Sequence, residues 1–252
     1  MEFEDQTVFI TGAASGIGAE TARQCAEEGA YVVVTDINSA GEETAEEIAD
    51  VGAGAEFQDL DVTDSEQFHE VVDDVTARHG LDVLINNAGT GHPSSSIEET
   101  DNSMRDYVID VNINGVWNGC HAALGHMKEQ GEGSIVNVAS IAGVRGFPRQ
   151  AAYATSKAAI VNFTRTVAAE AGPSGVRANA VCPGFTDTPM LEQFLSMQSD
   201  PEKAREKMRQ QYPLRRLGEA EEVAECIRFL ASDRASWVTG HAFLVDGGFT
   251  TM

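Results

Sequence analysis

A doubly wound parallel sheet with helices on both faces is the α/β fold class that this sequence predicts, and three features predict it. Short apolar runs of strand length alternate with amphipathic stretches of helix length along all 252 residues, as a parallel sheet with crossover helices requires. A glycine-rich turn, Gly12-Ala-Ala-Ser-Gly16-Ile-Gly18, stands between the first strand and the first helix. No linker, repeat or low-complexity block divides the chain, so residues 1–252 are expected to form one domain.

Thr7–Thr11 is the first strand. The helix after the glycine turn reaches about Glu28 and offers Ile17, Ala22 and Cys25 to the interior. Glycines permit a tight turn and close approach, and a helix N-terminus presents free N–H groups and partial positive charge. Together these suit a phosphate. A second strand, Tyr31–Thr35, ends at Asp36, eighteen residues after Gly18. An acid there is placed to accept the hydroxyls of an adenosine ribose. Capping a helix is the competing use, but Ser39 is better placed to open the Glu-rich helix that runs to about Val51.

Strand three is expected near Ala55–Leu60, with Asp61 and Val62 at its end, and a helix from Asp64 to about Arg78 leads to strand four, Asp82–Asn86. Asn86-Asn87-Ala88-Gly89 closes that strand, and its amides either tie strands together or shape a cofactor pocket. After a loop at Gly91–Ser96, a long helix, interrupted early, is expected from about Glu98 to Gln130. Val108, Val111, Gly115, Gly119 and Ala122 form one stripe on it, and small residues there suit close packing against an equivalent helix of a second copy. Asn112 on this helix reads as an ordinary surface amide.

Strand five, Ser134–Ala139, delivers Ser140. A helix after Gln150 follows, then strand six at Val176–Cys182 and a turn at Pro183-Gly184. Residues from about 185 to 217 read as a substrate-covering segment, helical in pieces and mobile from Leu191 onward. A helix at Glu219–Ala231 and a last strand at His241–Val245 complete the alternation. Because right-handed crossovers place all strand ends on one edge, Gly12–Gly18, Asp36, Asp61, Asn86–Gly89, Ser140 and Pro183-Gly184 are expected to share one crevice.

Tyr153 and Lys157 are one helical turn apart, so they share a face. A fixed ammonium beside a phenol favours the phenolate, and the pair then reads as an acid/base for an alcohol or carbonyl near neutral pH. Ser140 could hydrogen-bond the same oxygen. Ala142, Val144, Phe147, Phe185 and Met190 could line an apolar substrate pocket.

Forty acidic residues against 17 basic ones give a net charge of −23. Such a surface repels nucleic acid and anionic membranes. The acids are spread along the chain. A salt-adapted, halophilic protein is therefore expected in preference to one with a basic partner, because molar salt shortens the Debye length to about 3 Å. The N-terminus is acidic where a signal peptide would be basic, and no apolar run approaches the roughly 18 residues of a membrane span, so the expected location is cytoplasmic. The cysteines, Cys25, Cys120, Cys182 and Cys226, are spaced too far apart for a Cys-x-x-Cys site and read as reduced, mostly buried thiols. The histidines lack ligand spacing, so no metal is expected.

Taken together, Thr11-Gly-x-x-x-Gly16-Ile-Gly18, Asn86-Asn-Ala-Gly89, Asn112, Ser140, Tyr153-x-x-x-Lys157 and Pro183-Gly184 resemble, in order and over essentially the full length, the short-chain dehydrogenase/reductase family. The resemblance implies a Rossmann fold of seven strands in the order 3-2-1-4-5-6-7, assembled as a homotetramer. It implies Tyr153 as acid/base, Lys157 as ribose anchor and tuner of Tyr153, Ser140 as the residue positioning the substrate oxygen, and Asn112 as support for a relay water. It places NAD against Gly12, Ser15, Gly16, Ile17, Gly18, Asp36, Ile37, Asp61, Val62, Asn87, Ala88, Gly89, Pro183, Gly184, Thr186 and Thr188, with Tyr153 and Lys157. The adenine would lie along Asp61 and Val62, and the carboxamide against Thr188. The expected reaction is hydride transfer between NAD and a secondary alcohol/ketone pair, hydrophobic or cyclic. A 3-oxoacyl carrier-protein reductase is the main alternative, though Lys128-Glu-Gln-Gly-Glu132 offers little positive surface to an acidic carrier. A sugar dehydrogenase and a non-catalytic dinucleotide sensor remain open.

Overall fold

Consecutive residues of a strand face opposite sides of a sheet, and in this chain both sides are apolar because both are covered. The computed structural model describes residues 1–50 and 54–251. Its elements in chain order are β1 (Thr7–Thr11), α1 (Gly16–Glu27), β2 (Tyr31–Asp36), α2 (Ala40–Asp50), β3 (Ala55–Asp59), α3 (Ser65–His79), β4 (Val83–Asn86), α4 (Asn102–Ile109), α5 (Gly115–Gln130), β5 (Gly133–Val138), α6 (Ala151–Ala171), β6 (Val176–Pro183), β7 (Thr186–Asp187), α7 (Pro189–Ser196), α8 (Pro201–Gln210), β8 (Gly218–Glu219), α9 (Ala220–Ala231) and β9 (Ala242–Val245). Seven strands form one parallel sheet in the order β3-β2-β1-β4-β5-β6-β9, while β7 and β8 pair separately. The expected end of α2 at Val51 lies outside the described residues.

The alternation along the strands sorts the core into two clusters. Phe9, Val33, Leu84 and Ile135 pack on one face with Phe68 and Val72 of α3, Val116 of α5 and Ile160 of α6. Val8, Ile10, Val32, Val34 and Ile85 pack on the other with Cys25 of α1, Ile48 of α2 and Ile227 of α9. Each fully buried side chain of this size contributes about 1.5–3 kcal/mol, so these two layers dominate the fold's stability. Cys25, Cys120 and Cys182 are buried, Cys226 is half-buried, and all four are free thiols. Among the described residues no helix is long and apolar enough to cross a membrane, and no cluster of His, Cys, Asp or Glu could hold a metal.

The helix expected from Glu98 starts later and has a different interior. Ile97–Glu99 is a separate 3₁₀ turn, and α4 opens at Asn102, where the Asp101 side chain accepts a hydrogen bond from Ser103 N–H. A π turn at Asp110–Asn114 then joins α4 to α5. The extra residue in that turn rotates Asn112 inward, and it is fully buried, not a surface amide.

The small-residue stripe also has a different partner from the one expected. A Cβ at Gly115 would lie 2.7 Å from Val62 Cγ2, and one at Gly119 would lie 2.2 Å from Asn86 Oδ1 and 3.0 Å from Phe68. Ala122 is buried in the same core layer. The stripe therefore packs α5 onto its own chain and is not available to a second copy.

Residues 185–217 form α7 and α8 over a third, smaller cluster of Leu191, Leu195, Met208, Tyr212 and Leu217 with Ile141 and Phe249. Thr188 caps α7 and Asp200 caps α8. The Arg205 guanidinium of α8 bonds Asp187 and Glu192, which ties α8 to β7 and α7.

Gly119→Ala tests the reassigned stripe. Alanine is the better helix former by up to about 1 kcal/mol, but its methyl has no space here, and overpacking should give a net loss of about 1–3 kcal/mol in urea unfolding. A gain in stability would place the stripe away from the sheet.

Candidate active site

Parallel strands release the chain at one edge, and the glycine turn, Asp36, Asn86–Gly89, Ser140 and Pro183-Gly184 all lie there. The turn is held by backbone and amide contacts. Gly12 has φ +66°, and a Cβ on it would lie 2.7 Å from Ala88 Cα. A Cβ on Gly18 would lie 2.3 Å from the Gly12 carbonyl. Asn87 Nδ2 donates to the carbonyls of Thr11 and Gly12, each at 2.9 Å, and the N–H groups of Asn87 and Ala88 donate to Thr11 Oγ1 at 3.0 Å. The two readings of the Asn86-Asn87 pair thus separate. Asn87 shapes the turn, whereas buried Asn86 ties strands by donating to Asn137 Oδ1 at 2.9 Å. Ser15 precedes α1 without a side-chain capping bond, which leaves the helix N-terminus to a ligand. The cradle fits a dinucleotide pyrophosphate.

Asp36 Oδ2 accepts from Ala14 N–H at 3.1 Å and Oδ1 accepts from Asn38 N–H at 2.9 Å, so the carboxylate is fixed against the turn while lone pairs remain for a ribose. Ile37 beside it is 69% exposed. Asp61 is exposed and accepts from the Thr63 N–H and hydroxyl, whereas the Val62 side chain is mostly covered by α5. Ile17 packs partly against the α1 side of the core. Buried Thr186 donates to the Gly184 carbonyl, and Thr188 stands 3.5 Å from the Cβ position of Gly16. The cover therefore reaches the glycine turn.

Ser140 follows β5, and its Oγ accepts from Ala142 N–H at 3.1 Å. Gly143, not singled out in the sequence, docks this turn on α6, because a Cβ there would lie 2.6 Å from the Lys157 carbonyl. Lys157 is 4% exposed and donates to the Val138 carbonyl at 2.8 Å, with Nζ 5.8 Å from the centre of the Tyr153 ring. Asn112 Oδ1 accepts from Thr90 N–H at 2.8 Å, and Nδ2 donates to the Thr90 carbonyl and to Ser156 Oγ, each at 2.9 Å. Ser156 Oγ in turn donates to the Tyr153 carbonyl. Thr90 and Ser156 carry no motif, so their part in this clamp shows only in three dimensions.

The electrostatics correct one expectation. The phenol of Tyr153 is held above its ordinary pKa: burial raises it, and the hydrogen bond with Ser140 opposes that rise. Burial also pushes the Lys157 ammonium down, to about 8. Desolvation disfavours both charged forms, and the lysine's hydrogen bond goes to a carbonyl. In the protein alone, the lysine does not make the tyrosine more acidic.

The expected pocket residues are partly assembled. Phe147 and Phe185 meet edge to face at 5.9 Å, and Ala142 is buried beside Ser140. Val144 and Met190 are exposed instead, 45% and 47%.

The lowered Lys157 pKa has a defined sign. Between about pH 8 and 10.5 the unfolded chain holds a proton on this lysine that the folded chain does not, so stability from this group rises with pH there; below that window the burial cost is complete. The unfolding free energy of Lys157→Met, relative to wild type, should fall by about 2 kcal/mol from about pH 7 to about pH 9.5. A difference independent of pH would show that Lys157 titrates as in water.

Residues 12–250 match the model of a family described as enoyl-(acyl-carrier-protein) reductase. The chain is 41% identical over 251 residues to cis-4-hydroxycyclohexanecarboxylate dehydrogenase of Sinomonas cyclohexanicum, covering 99% of this chain and 98% of that one. It is 42% identical over 250 residues to a 3-oxoacyl-(acyl-carrier-protein) reductase of Thermotoga maritima, covering 98% and 99%. The structure of levodione reductase superposes with a TM-score of 0.96 at 37% identity, covering 99% of each chain. Sequence, sheet order and site geometry agree, and the chain belongs to the short-chain dehydrogenase/reductase family of nicotinamide-dependent oxidoreductases.

Proposed function

We propose that the protein is an NAD-dependent dehydrogenase/reductase that transfers a hydride between the nicotinamide and a secondary alcohol/ketone pair, hydrophobic or cyclic. The observation that carries this reading is the docking of the Ser140 turn onto the helix of Tyr153 and Lys157, beside a glycine turn shaped for a dinucleotide. A bound nicotinamide would supply the hydride acceptor or donor and, when oxidised, a positive charge that favours the phenolate. Ser140 would hold the substrate oxygen. Tyr153 would take the hydroxyl proton in oxidation and return it in reduction. Lys157 would anchor the ribose from its buried position, and Asn112 would keep the Thr90 segment and α6 in register.

A ring-shaped substrate is favoured by the facing aromatics Phe147 and Phe185 and by the name of one similar protein, a cis-4-hydroxycyclohexanecarboxylate dehydrogenase. The similarity to a carrier-protein reductase supports a second reading, 3-oxoacyl thioester reduction. A turnover screen with NAD and NADP over cyclic alcohols, hydroxyacyl thioesters and sugars separates the two. A homotetramer belongs to the same reading. Its support is the outward aromatic face of Tyr107 and Trp117, the latter stacked on Phe163, and light scattering reads its size.

Tyr153→Phe should bind NADH normally yet lose at least ~10²-fold in kcat. Near-normal turnover would remove Tyr153 from the mechanism.

NAD preference is argued from Asp36. A 2′-phosphate would meet its carboxylate in a partly desolvated corner, and Ile37 and Ser15 offer no cation to offset the repulsion. A preference for NAD of roughly 10²-fold in kcat/KM is expected, from about 3 kcal/mol. Asp36→Ala with Ile37→Arg should shift the preference toward NADP. The double variant should also bind NAD less tightly, because the ribose loses its carboxylate and Ala14 N–H loses its acceptor. Equal use of both cofactors by the unmodified protein would contradict the role given to Asp36.

A further inference from the structure

A non-glycine residue held at positive φ is strained, and residues of this kind cluster where the strain has a use. Among the described residues Asp5, Arg149 and Arg215 are in that state, and of these Arg149 alone lies between Ser140 and Tyr153. Gln150 N–H donates to the Phe147 carbonyl at 3.3 Å, which makes Phe147-Pro148-Arg149-Gln150 a turn. Proline stands second in it and Arg149 third, with φ +64°. That is the type II pattern, whose third position favours glycine. An arginine there calls for an explanation.

Its contacts supply one. Arg149 Nε donates to Ser94 Oγ at 3.1 Å, and Nη2 donates to the Ser94 carbonyl at 3.2 Å. The Arg149 carbonyl accepts from Ser95 N–H at 3.1 Å, and Gln150 Nε2 donates to the His92 carbonyl at 3.2 Å. The loop that leaves the sheet after β4 is thereby tied to the segment that leaves it after the neighbouring β5. This loop has a second anchor, because Asn112 bonds the N–H and carbonyl of Thr90 and also Ser156 of α6. Thr90 is thus held near residue 156 and Ser94 near residue 149, with Tyr153 between them along the chain. Residues 90–95 therefore run beside the first turns of α6, which carry Tyr153. The Arg149 side chain is 55% exposed and belongs to no apolar cluster, so core packing does not account for its place.

We propose that Arg149 is a positioning residue, a strap that holds residues 90–95 against the Tyr153 turn and so fixes one wall of the substrate site. This rests on the oxidoreductase reading above and deepens it: the loop after β4, and not only the cover after β6, sets how a substrate meets Tyr153. A substrate oxygen has to reach Tyr153 and Ser140 within a narrow range of positions, and a wall that drifts by about an ångström admits unproductive ones. The anchor at Thr90 does not involve Arg149, so the neighbouring Asn87–Gly89 turn and the cofactor keep their places without the strap.

The test compares wild type with Arg149→Gly, which keeps the positive φ without strain and deletes only the guanidinium bonds. Cyclohexanol and cis-4-hydroxycyclohexanecarboxylate are oxidised with NAD, and NADH binding, thermal unfolding and amide hydrogen exchange are measured beside turnover. Arg149→Gly should raise the KM of the alcohol by ~10-fold or more, with a smaller change in kcat. Its NADH Kd should stay within about twofold and its Tm should not fall. Exchange at residues 92–96 should quicken, while the amides of α6 keep wild-type rates. Arg149→Lys, which has one ammonium in place of the planar fork, should recover part of the KM. Ser94→Ala should raise KM in the wild-type background and have no effect in Arg149→Gly, because the two residues share one bond. If Arg149→Gly does not fold, Arg149→Asn, which also tolerates this backbone, gives the same reading. An unchanged alcohol KM overturns the proposal, whatever the exchange rates. So does a loss of NADH binding or of Tm in step with the loss of activity, since Arg149 would then be merely structural. NADH binding by wild type without turnover of either alcohol would instead remove the reading on which the proposal rests.

Discussion

Buried amides have to be paired, and at the carboxyl edge of this sheet asparagine side chains pair them. Asn87 closes the glycine turn onto β4, and Asn86 and Asn137 join β4 to β5. Asn137 continues to Thr164 of α6. Asn112 holds the Thr90 segment to α6. A planar amide offers both donors and an acceptor in fixed directions, so each such residue sets a distance as well as filling a need. Removing one would leave its buried partners unsatisfied, and for this reason the edge tolerates little movement. The geometry of the Tyr153 helix relative to the glycine turn follows from these ties.

Against that rigid frame, the electrostatics are unfinished. Tyr153 and Lys157 are both desolvated, and each is held toward its neutral form. No carboxylate is bonded to either among the described residues. For both side chains the charged state is therefore costly in the protein alone, and a charged group arriving beside them would offset that cost.

Much of this was legible in the sequence, for physical reasons. Val8-Phe9-Ile10 and Val32-Val33-Val34 read as strands because two-sided burial leaves no polar position. Asp64 marks the start of α3 because a cap is local chemistry. The misreadings all concern partners. Gly115 and Gly119 announce close packing but not against what, and the answer was Val62 and Asn86 of the same chain. The π turn that buries Asn112 has no sequence marker comparable to a cap. The proximity of Lys157 to Tyr153 follows from a spacing of four, yet the direction of their pKa values depends on burial, which spacing does not report. Ser156 was silent because its part exists only once the loop after β4 meets α6 through Asn112.

The strand order has a kinetic side. Neighbouring β1 and β4 are separated in sequence by β2 and β3, and the pieces of the crevice come from residues 12–18, 36, 86–89, 112, 140, 153–157 and 183–188. No two neighbouring strands can pair without first closing a long loop around a helix, and each closure costs chain entropy before any contact offsets it. No fragment shorter than residues 12–188 holds all of these pieces, so a nascent chain gains the crevice only when β6 and the cover after it have emerged. During synthesis the acidic surface, at −23 overall, keeps such incomplete chains apart from one another while they wait for their last strands.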